Sequence, residues 1–177
     1  MTEIIAPIND VERQRVIAET RRYIDKASQL FEQDFPHIEV LFDLKGRSAG
    51  MYRVRRYRGR QEQHIRYNPW LFAKYTDDSF HNTIPHEVAH YIADKLYGMK
   101  NIRPHGKEWK MIMNQFGALP IIRADYDLSG TPQRNVRRYD YQCGCRKVRM
   151  TAYRHNKVVR GQQRYFCRNC DQELRIQ

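Results

Sequence analysis

The sequence lacks any continuous apolar segment of the roughly 18 residues that a membrane-spanning helix needs. Its first ten residues, MTEIIAPIND, include two acids and a proline, and they do not have the apolar core of a signal peptide. Internal repeats and low-complexity tracts are also absent. Mean hydropathy is −0.85. We therefore expect a cytoplasmic protein, monomeric and without a membrane partner, whose 177 residues form one medium domain or one domain with a small appendage.

Cysteine is absent from the first 142 residues, and Cys143, Cys145, Cys167 and Cys170 all lie in the last 35. Without a secretion signal, disulfides are the weaker interpretation. The order C-x-C, twenty-one residues, C-x-x-C is close to the spacing of a zinc ribbon, in which a hairpin brings two tight turns together. Four thiolates close the metal site, so this zinc would be structural and would stabilise a unit with little core. Free or redox thiols are the alternative, and His155 is either a substitute ligand or a surface residue.

Acidic residues are scarce in two segments. Residues 45–60 contain seven Lys or Arg residues and no acidic residue. Residues 134–177 contain twelve Lys or Arg residues and three acidic ones, and the net charge of the whole chain is +12. Two basic segments favour a polyanion partner, although basic residues can also simply solvate exposed strands. Guanidinium groups pair with phosphates and the interleaved tyrosines can stack on unpaired bases, so we expect sequence-tolerant binding to single strands. The candidate nucleic-acid-binding residues are Arg53, Arg55, Arg56, Arg58, Arg60, Arg149, Arg154, Lys157 and Arg160.

The spacing of apolar residues predicts an α+β fold. Asn9 and Glu12 form a capping box for a helix over residues 10–34, which Pro36 stops. Three strands follow, for which antiparallel pairing is the default, over residues 38–44, 51–58 and 63–68.

Two further helices precede a connector. Ile84, Val88, Ile92 and Leu96 recur every four residues and Gly98 ends their helix, which either begins at Pro85 or is bent by it. In the next helix, Trp109 shares an apolar face with residues 112, 113 and 116, and we expect it to be a core residue rather than a substrate-binding one. Residues 120–138 are predicted to be a connector, and short strands follow from residue 139.

The sequence HEVAH places two histidines four residues apart, so His86 and His90 project from the same side of a helix and can bind one zinc ion. Glu87 is offset by about 100°, so it can face a water molecule on the metal and accept its proton. Because a helix can also carry two histidines by chance, the motif alone is a hypothesis. The buried face predicted for the same helix favours the zinc site.

A catalytic zinc needs a third protein ligand. Ala93 and Leu96 stand where the metzincin pattern requires glycine and histidine, which excludes that class. His105, at the start of the next helix, is the preferred candidate, and Glu108 is the alternative. We expect Asp94 to be a solvated residue near the helix end, with orientation of an imidazole as the alternative.

The segment PHEVAHYIADKLYGMKNIRPHGKEWKMIM, with IRYNPWLF, the SAG loop and RHNKVVRG, resembles the SprT-like zinc metallopeptidases, specifically their bacterial SprT branch. The resemblance implies a minimal zincin, a small antiparallel or mixed sheet packed on helices, over residues 1–138, and a zinc ribbon over residues 139–177. It also implies that His86, His90 and His105 bind the catalytic zinc and that Glu87 is the general base. The CGC turn is shorter than the usual C-x-x-C.

Relatives in the Spartan branch cleave proteins trapped covalently on DNA and are activated by DNA. The sequence is therefore interpreted as a zinc endopeptidase, with one catalytic and one structural zinc, that acts on DNA-associated or DNA-crosslinked proteins. One alternative is a nucleic-acid-binding zinc protein whose peptidase site is silent. Another is an ordinary peptidase whose basic surface selects acidic proteins.

Overall fold

The computed structural model describes residues 4–57, 60–122, 124–133 and 136–177. The side chains of Arg56, Tyr57 and Arg60 lie outside this description, as does Arg58 entirely. The chain divides into two compact units, Met1–Gln133 and Arg134–Gln177, each with its own apolar core. Both units combine helices and strands, so the predicted α+β class is confirmed. Within the described residues, no helix is long and apolar enough to cross a membrane.

Helix α1, Asp10–Leu30, begins with the predicted capping box, because the Asn9 side chain accepts from the Glu12 N–H and the Glu12 carboxylate accepts from the Asn9 N–H. The prediction that α1 continues to residue 34 is wrong. The hydroxyl of Ser28 accepts a hydrogen bond from the Phe35 N–H at 3.1 Å, and Phe35 is buried in the core. This contact turns the chain back before Pro36 is reached.

The first unit contains a mixed three-stranded sheet of β1 (Glu39–Leu41), β2 (Gly50–Tyr57) and β3 (Arg60–Tyr67), in the order β1-β3-β2. Strands β2 and β3 are antiparallel, as predicted, but β1 and β3 are parallel. The default of antiparallel pairing is wrong for β1. The β2–β3 hairpin places β3, and not β2, beside β1, and β3 runs in the same direction as β1. Ile65 lies in the core from the middle of this sheet, whereas Arg53 is exposed on the opposite face.

A short helix after the sheet fixes the loop that leads into β2. Asn68 caps α2 (Pro69–Lys74) by accepting from the N–H groups of Trp70 and Leu71. The amide nitrogen of the same buried side chain donates to the carbonyls of Gly46 and Ser48. Asn68 therefore connects the N-terminus of α2 to the SAG loop through hydrogen bonds of one side chain.

The helix that carries the histidine pair is part of a longer helical run. Helix α3 (Thr76–Asp78) continues into a π-helical segment (Ser79–Thr83) and then into α4 (Ile84–Tyr97). Pro85 is the second residue of α4, and only Ile84 separates it from the π segment. Its missing N–H is tolerated there because hydrogen bonding changes from the i−5 to the i−4 pattern at this point. Gly98 ends α4 at φ +76°, as predicted.

Helix α5, Lys107–Phe116, packs against α4 and α1. Its buried residues are those of the predicted apolar face, and Trp109 is confirmed as a core residue with 1% exposure. Gly117 ends the helix in the left-handed conformation at φ +73°.

The second unit has an antiparallel sheet in the order β5-β4-β6, formed by β4 (Arg138–Gln142), β5 (Lys147–Thr151) and β6 (Arg175–Ile176). Helix α6 (Ala152–Val159) lies between the cysteine pairs, where only strands were predicted. This helix packs on β4 because the ring of its His155 stacks on Tyr139. The structural division after residue 133 precedes the boundary predicted at residue 138.

Candidate active site

Three imidazoles converge on one point in the first unit. His86 and His90 lie one turn apart on α4, and His105 lies just before α5. Their Nε2 atoms are 3.2 Å (His86–His90), 3.1 Å (His90–His105) and 3.0 Å (His86–His105) apart. Two ligands at about 2.1 Å from a tetrahedral zinc lie about 3.4 Å from each other. The spacing and the imidazole donors fit a metal ion such as zinc.

The third member of this cluster is His105 and not Glu108. His105 adopts φ +57°, a left-handed conformation that is uncommon outside glycine and that turns the loop back towards α4. The carboxylate of Glu108, in the first turn of α5, lies 4.0 Å from the Lys107 ammonium. Among the described residues, Glu108 is in neither of the two groups whose side chains could hold a metal ion.

The connector orients one of the three imidazoles. The Nδ1 of His86 lies 3.2 Å from the carbonyl oxygen of Ile121. A proton held on Nδ1 by this acceptor leaves Nε2 free to bind metal, as is usual for metal-binding histidines. Burial lowers the pKa of His86 to about 4, so its imidazole is neutral at pH 7. The sequence predicts only a connector over residues 120–138, and no pattern in that segment indicates this contact.

Trp109 forms the floor beneath the histidines. Its ring centroid lies 4.7 Å from that of His86, 5.6 Å from that of His90 and 4.8 Å from that of His105. Its indole N–H also donates to the His86 carbonyl at 3.2 Å. Close packing around a buried ring restricts the orientation of all three imidazoles.

Glu87 lies beside the cluster with only 6% of its surface exposed. Its Oε2 accepts a hydrogen bond from the backbone N–H of Tyr52 at 2.6 Å. Burial raises the pKa of Glu87 to about 8, against the lowering effect of that hydrogen bond. Gly50 allows the carboxylate to take this position, since a Cβ there would lie 2.5 Å from the Glu87 Cγ. The contribution of Gly50 was not identified from the sequence.

Asp94 has neither of the two roles considered for it. Its Oδ2 accepts from the hydroxyl of Tyr52 at 2.7 Å and from the amide of Gln63 at 3.0 Å. Its Oδ1 accepts from the Met99 N–H at 2.8 Å. Tyr52 is one of the tyrosines interleaved with the arginines of residues 45–60, which were expected to stack on bases. Because its hydroxyl donates to Asp94 and its ring packs on Tyr91, Tyr52 is not free to do so.

Two clefts meet at the histidine cluster. The larger, of about 790 Å³, is lined by residues 47–50, by the end of the π segment and by the connector. The smaller, of about 330 Å³, is lined by the start of β2 and by the loop over residues 99–105. Gly50, His86, Glu87 and Ile122 line both clefts. The two clefts therefore adjoin at these residues.

The four cysteines of the second unit form a separate group with all their sulfur atoms within 4.8 Å of one another. Cys143 and Cys145 lie on the β4–β5 turn, and their Sγ atoms are 3.4 Å apart. Cys167 and Cys170 lie on a second turn, where backbone N–H groups lower the pKa of Cys167 to about 6 and favour the metal-binding thiolate. The short first turn is held by the Gly144 N–H, which donates to the side chain of Gln172 at 2.7 Å.

His155 is not part of the cysteine group. Its ring stacks on Tyr139 with centroids 3.5 Å apart, and its Nδ1 lies 3.1 Å from the Tyr141 hydroxyl. It is therefore neither a substitute ligand nor a bare surface residue.

The candidate nucleic-acid-binding residues belong to two different units. Arg53 and Arg55 are exposed on β2. Arg58 lies outside the described residues, and so do the side chains of Arg56 and Arg60. In the second unit, Arg149, Arg154 and Arg160 are exposed, and Lys157 is half-buried.

Aromatic rings accompany the basic side chains of α6. The Lys157 ammonium lies 4.8 Å from the centroid of the Tyr153 ring, and the Arg154 guanidinium lies 5.5 Å from that of Tyr165. Tyr153 is 68% exposed. This surface combines positive charge with an accessible π face, which are the two features of single-strand binding sites.

Together, these features define a class: an α+β protein with a three-histidine centre beside a buried glutamate and a separate four-cysteine centre, both able to hold metal ions. The chain belongs to the SprT-like family, whose model matches residues 20–132. The predicted family is thereby confirmed, and the bacterial relatives described next confirm its bacterial branch. Membership indicates a metallopeptidase-like role.

Curated relatives named Protein SprT match most of the chain. The protein from Shewanella oneidensis is 30% identical over 165 residues, which cover 93% of this chain and 99% of the relative. That from Pseudomonas fluorescens is 38% identical over 151 residues, covering 84% and 85%. That from Vibrio parahaemolyticus is 34% identical over 152 residues, covering 85% and 86%. No solved structure shows significant similarity to the chain.

Proposed function

We propose that the protein is a zinc-dependent endopeptidase that acts on DNA-associated proteins, with one zinc ion at the three histidines and a second at the four cysteines. The observation that carries the proposal is the triangle of Nε2 atoms, with sides of 3.0–3.2 Å, at the junction of two open clefts and beside Glu87. Three neutral imidazoles are the ligand set of many catalytic zinc sites, and four thiolates are that of structural ones.

Zinc at the histidines would supply a Lewis acid that activates water and polarises the carbonyl of the bond to be cleaved. A zinc dication beside Glu87 would favour its ionised form against the raised pKa, and the carboxylate then accepts the proton of the attacking water and transfers it to the departing amine. The Tyr52 N–H fixes one oxygen of this carboxylate, so that Glu87 is oriented before the substrate binds. The Ile121 carbonyl holds His86 in the tautomer that leaves Nε2 available.

The exposed basic side chains support the DNA part of the proposal. Arg53 and Arg55 on β2, and the basic and aromatic side chains of α6, are suited to phosphates and unpaired bases. Nucleic acid bound by these surfaces would concentrate protein substrates carried on the same strand. A binding protein with a silent peptidase site is less well supported, because the histidine cluster and Glu87 are both intact.

The test compares wild type, Glu87→Gln and Glu108→Gln, each loaded with zinc and incubated with a DNA-binding protein, with and without single-stranded DNA. A general base contributes about 10²–10⁴-fold, so Glu87→Gln should lower the cleavage rate by that factor while both zinc ions remain. Glu108→Gln is the matched control and should cleave like wild type. If wild type binds DNA but cleaves nothing, the site is silent. If cleavage is equal with and without DNA, the DNA part of the proposal is wrong.

A further inference from the structure

Exposed apolar side chains surround the opening of the smaller cleft. Met51 is 38% exposed, Met99 is 49% exposed and Ile122 is 48% exposed, and half-buried Ile102 lies with them in the lining. They come from four separate places: the start of β2, the turn after α4, the loop before α5 and the connector. Large apolar side chains gathered around one concave opening mark a binding surface.

The larger cleft has a different chemistry. Its lining includes the carboxylates of Asp78 and Asp125, the amide of Asn82 and the guanidinium of Arg47. Among the described residues that line the smaller cleft, Glu87 supplies the only carboxylate. The lining of the smaller cleft is mainly apolar apart from the histidines, Glu87 and Arg103. A peptide that crosses the histidine cluster is therefore in the more polar cleft on one side of the cleaved bond and in the more apolar cleft on the other.

Asp94 holds two walls of the smaller cleft in place. One of its oxygens accepts from the Tyr52 hydroxyl and the other from the Met99 N–H, so β2 and the turn after α4 are tied to the same carboxylate. The backbone of the apolar rim is thereby fixed, while its methionine side chains keep the flexibility that lets them adapt to apolar groups of different shape. The smaller cleft therefore has a fixed backbone and a lining that can adapt to different apolar side chains.

We propose, resting on the endopeptidase function above, that the smaller cleft binds a large apolar side chain of the substrate, such as leucine, methionine or phenylalanine, next to the cleaved bond. Its volume of about 330 Å³ leaves room for one such side chain. A lysine or arginine side chain would lose its hydration there and meet no carboxylate other than Glu87. Basic residues are therefore disfavoured at this position.

The experiment uses the zinc-loaded full-length chain and peptides that differ at one position beside the cleaved bond, with leucine, serine or lysine there. Apolar contacts in a pocket discriminate between substrates by about 10–200-fold, and the partly open cleft is expected to give about a ten-fold higher kcat/KM for leucine than for serine. Met99→Glu should reduce this preference and raise cleavage of the lysine peptide, because it adds a carboxylate to the rim. Ile122→Glu, from another wall, should act in the same direction.

Met111→Glu is the matched control, since Met111 is 36% exposed on α5 and lies outside the lining of both clefts that meet at the histidines. It should leave the preference unchanged. Cleavage without a preference for leucine, or a preference that neither Met99→Glu nor Ile122→Glu changes, overturns the subsite and leaves the endopeptidase function standing. Absence of cleavage of every peptide and protein by zinc-loaded wild type overturns the proposed function and the subsite with it.

Discussion

At the scale of single residues, the position of Glu87 depends on a neighbour that has no side chain. Glu87 is only 6% exposed, and the Tyr52 N–H of β2 donates to its Oε2 at 2.6 Å. Gly50 lies two residues before Tyr52, at the point where β2 begins. A Cβ at Gly50 would lie 2.5 Å from the Glu87 Cγ and 2.7 Å from its Oε1. Glu87, the proposed general base, can occupy this position only because residue 50 is glycine.

Gly50→Ala is therefore expected to displace the Glu87 carboxylate while both metal groups remain intact. A shift of about 1 Å in a catalytic group can cost about 10²-fold in rate, and we expect a loss of that order in the cleavage of a peptide substrate. The measurement is kcat/KM together with zinc content. Combined with Glu87→Gln, the substitution should have little further effect, because both changes act on the same group. A fully additive loss in the double variant would contradict this explanation.

At the scale of elements, two short segments position residues of the candidate site: the loop that precedes β2 and the π segment that precedes α4. Asn68 caps α2 and also holds the loop that precedes Gly50, through the carbonyls of Gly46 and Ser48. The π segment carries Asn82 and Thr83 into the larger cleft before α4 begins. Irregular helical turns of this kind occur often at functional sites.

Asn68→Ala should lower the free energy of unfolding of the first unit by about 2–3 kcal/mol, because it removes an N-cap and leaves buried carbonyls unpaired. Asn68→Asp is the informative comparison, since it keeps the capping oxygen but cannot donate to Gly46 and Ser48, and we expect an intermediate loss. Urea unfolding followed by tryptophan fluorescence measures both, because Trp70 and Trp109 are the only tryptophans and both belong to the first unit. Equal stability of wild type and Asn68→Ala would contradict this role.

At the scale of the whole molecule, the two units differ in how they are stabilised. Among the described residues, the core of the first unit contains nineteen buried apolar residues, whereas that of the second contains four, one of which is Cys167. A unit this small gains much of its stability from a bound metal when its ligands are cysteines. We therefore expect the second unit to depend on zinc and the first to fold on its own core.

Cys167→Ser should reduce the zinc content from two ions per chain to one and unfold the second unit. Binding to single-stranded DNA should weaken, since the basic surface of α6 is lost. Tryptophan-monitored unfolding of the first unit and cleavage of a short peptide should be unchanged. Metal analysis that finds as many zinc ions in this variant as in wild type after zinc loading would contradict the four-cysteine site.

Nucleic-acid binding should depend on salt through the number of phosphates contacted. Each neutralised phosphate contributes about 0.7 to the slope of log K against log salt for single strands, so Arg154→Ala with Arg160→Ala should flatten the slope by about 1.4 if each contacts one phosphate. Arg22→Ala is the control, because Arg22 is paired with Glu19 on α1. An unchanged slope in the double variant would mean that these arginines only solvate the surface.

The sequence by itself determined what depends on local spacing. The capping box of α1, the common face of His86 and His90 and the glycine that ends α4 each involve residues at most a turn or two apart, so helical periodicity was enough to predict them. The early end of α1 was missed because Ser28 and Phe35 meet only when the chain turns back, although they are seven residues apart. Helix α6 was not predicted because its formation depends on a tertiary contact, the stacking of His155 on Tyr139 of β4.

Only the tertiary structure decided which distant groups meet. The parallel pairing of β1 with β3 depends on where the β2–β3 hairpin packs, and the choice of His105 over Glu108 depends on a left-handed backbone turn. Ile121 reaches His86 from 35 residues away. Such contacts are set by the packing of α4 against α5 and the sheet, and the spacing of residues in the sequence does not predict them. The sequence itself specified the imidazoles and thiols that could hold metal ions, and the fold specified how these groups are oriented and what lies beside them.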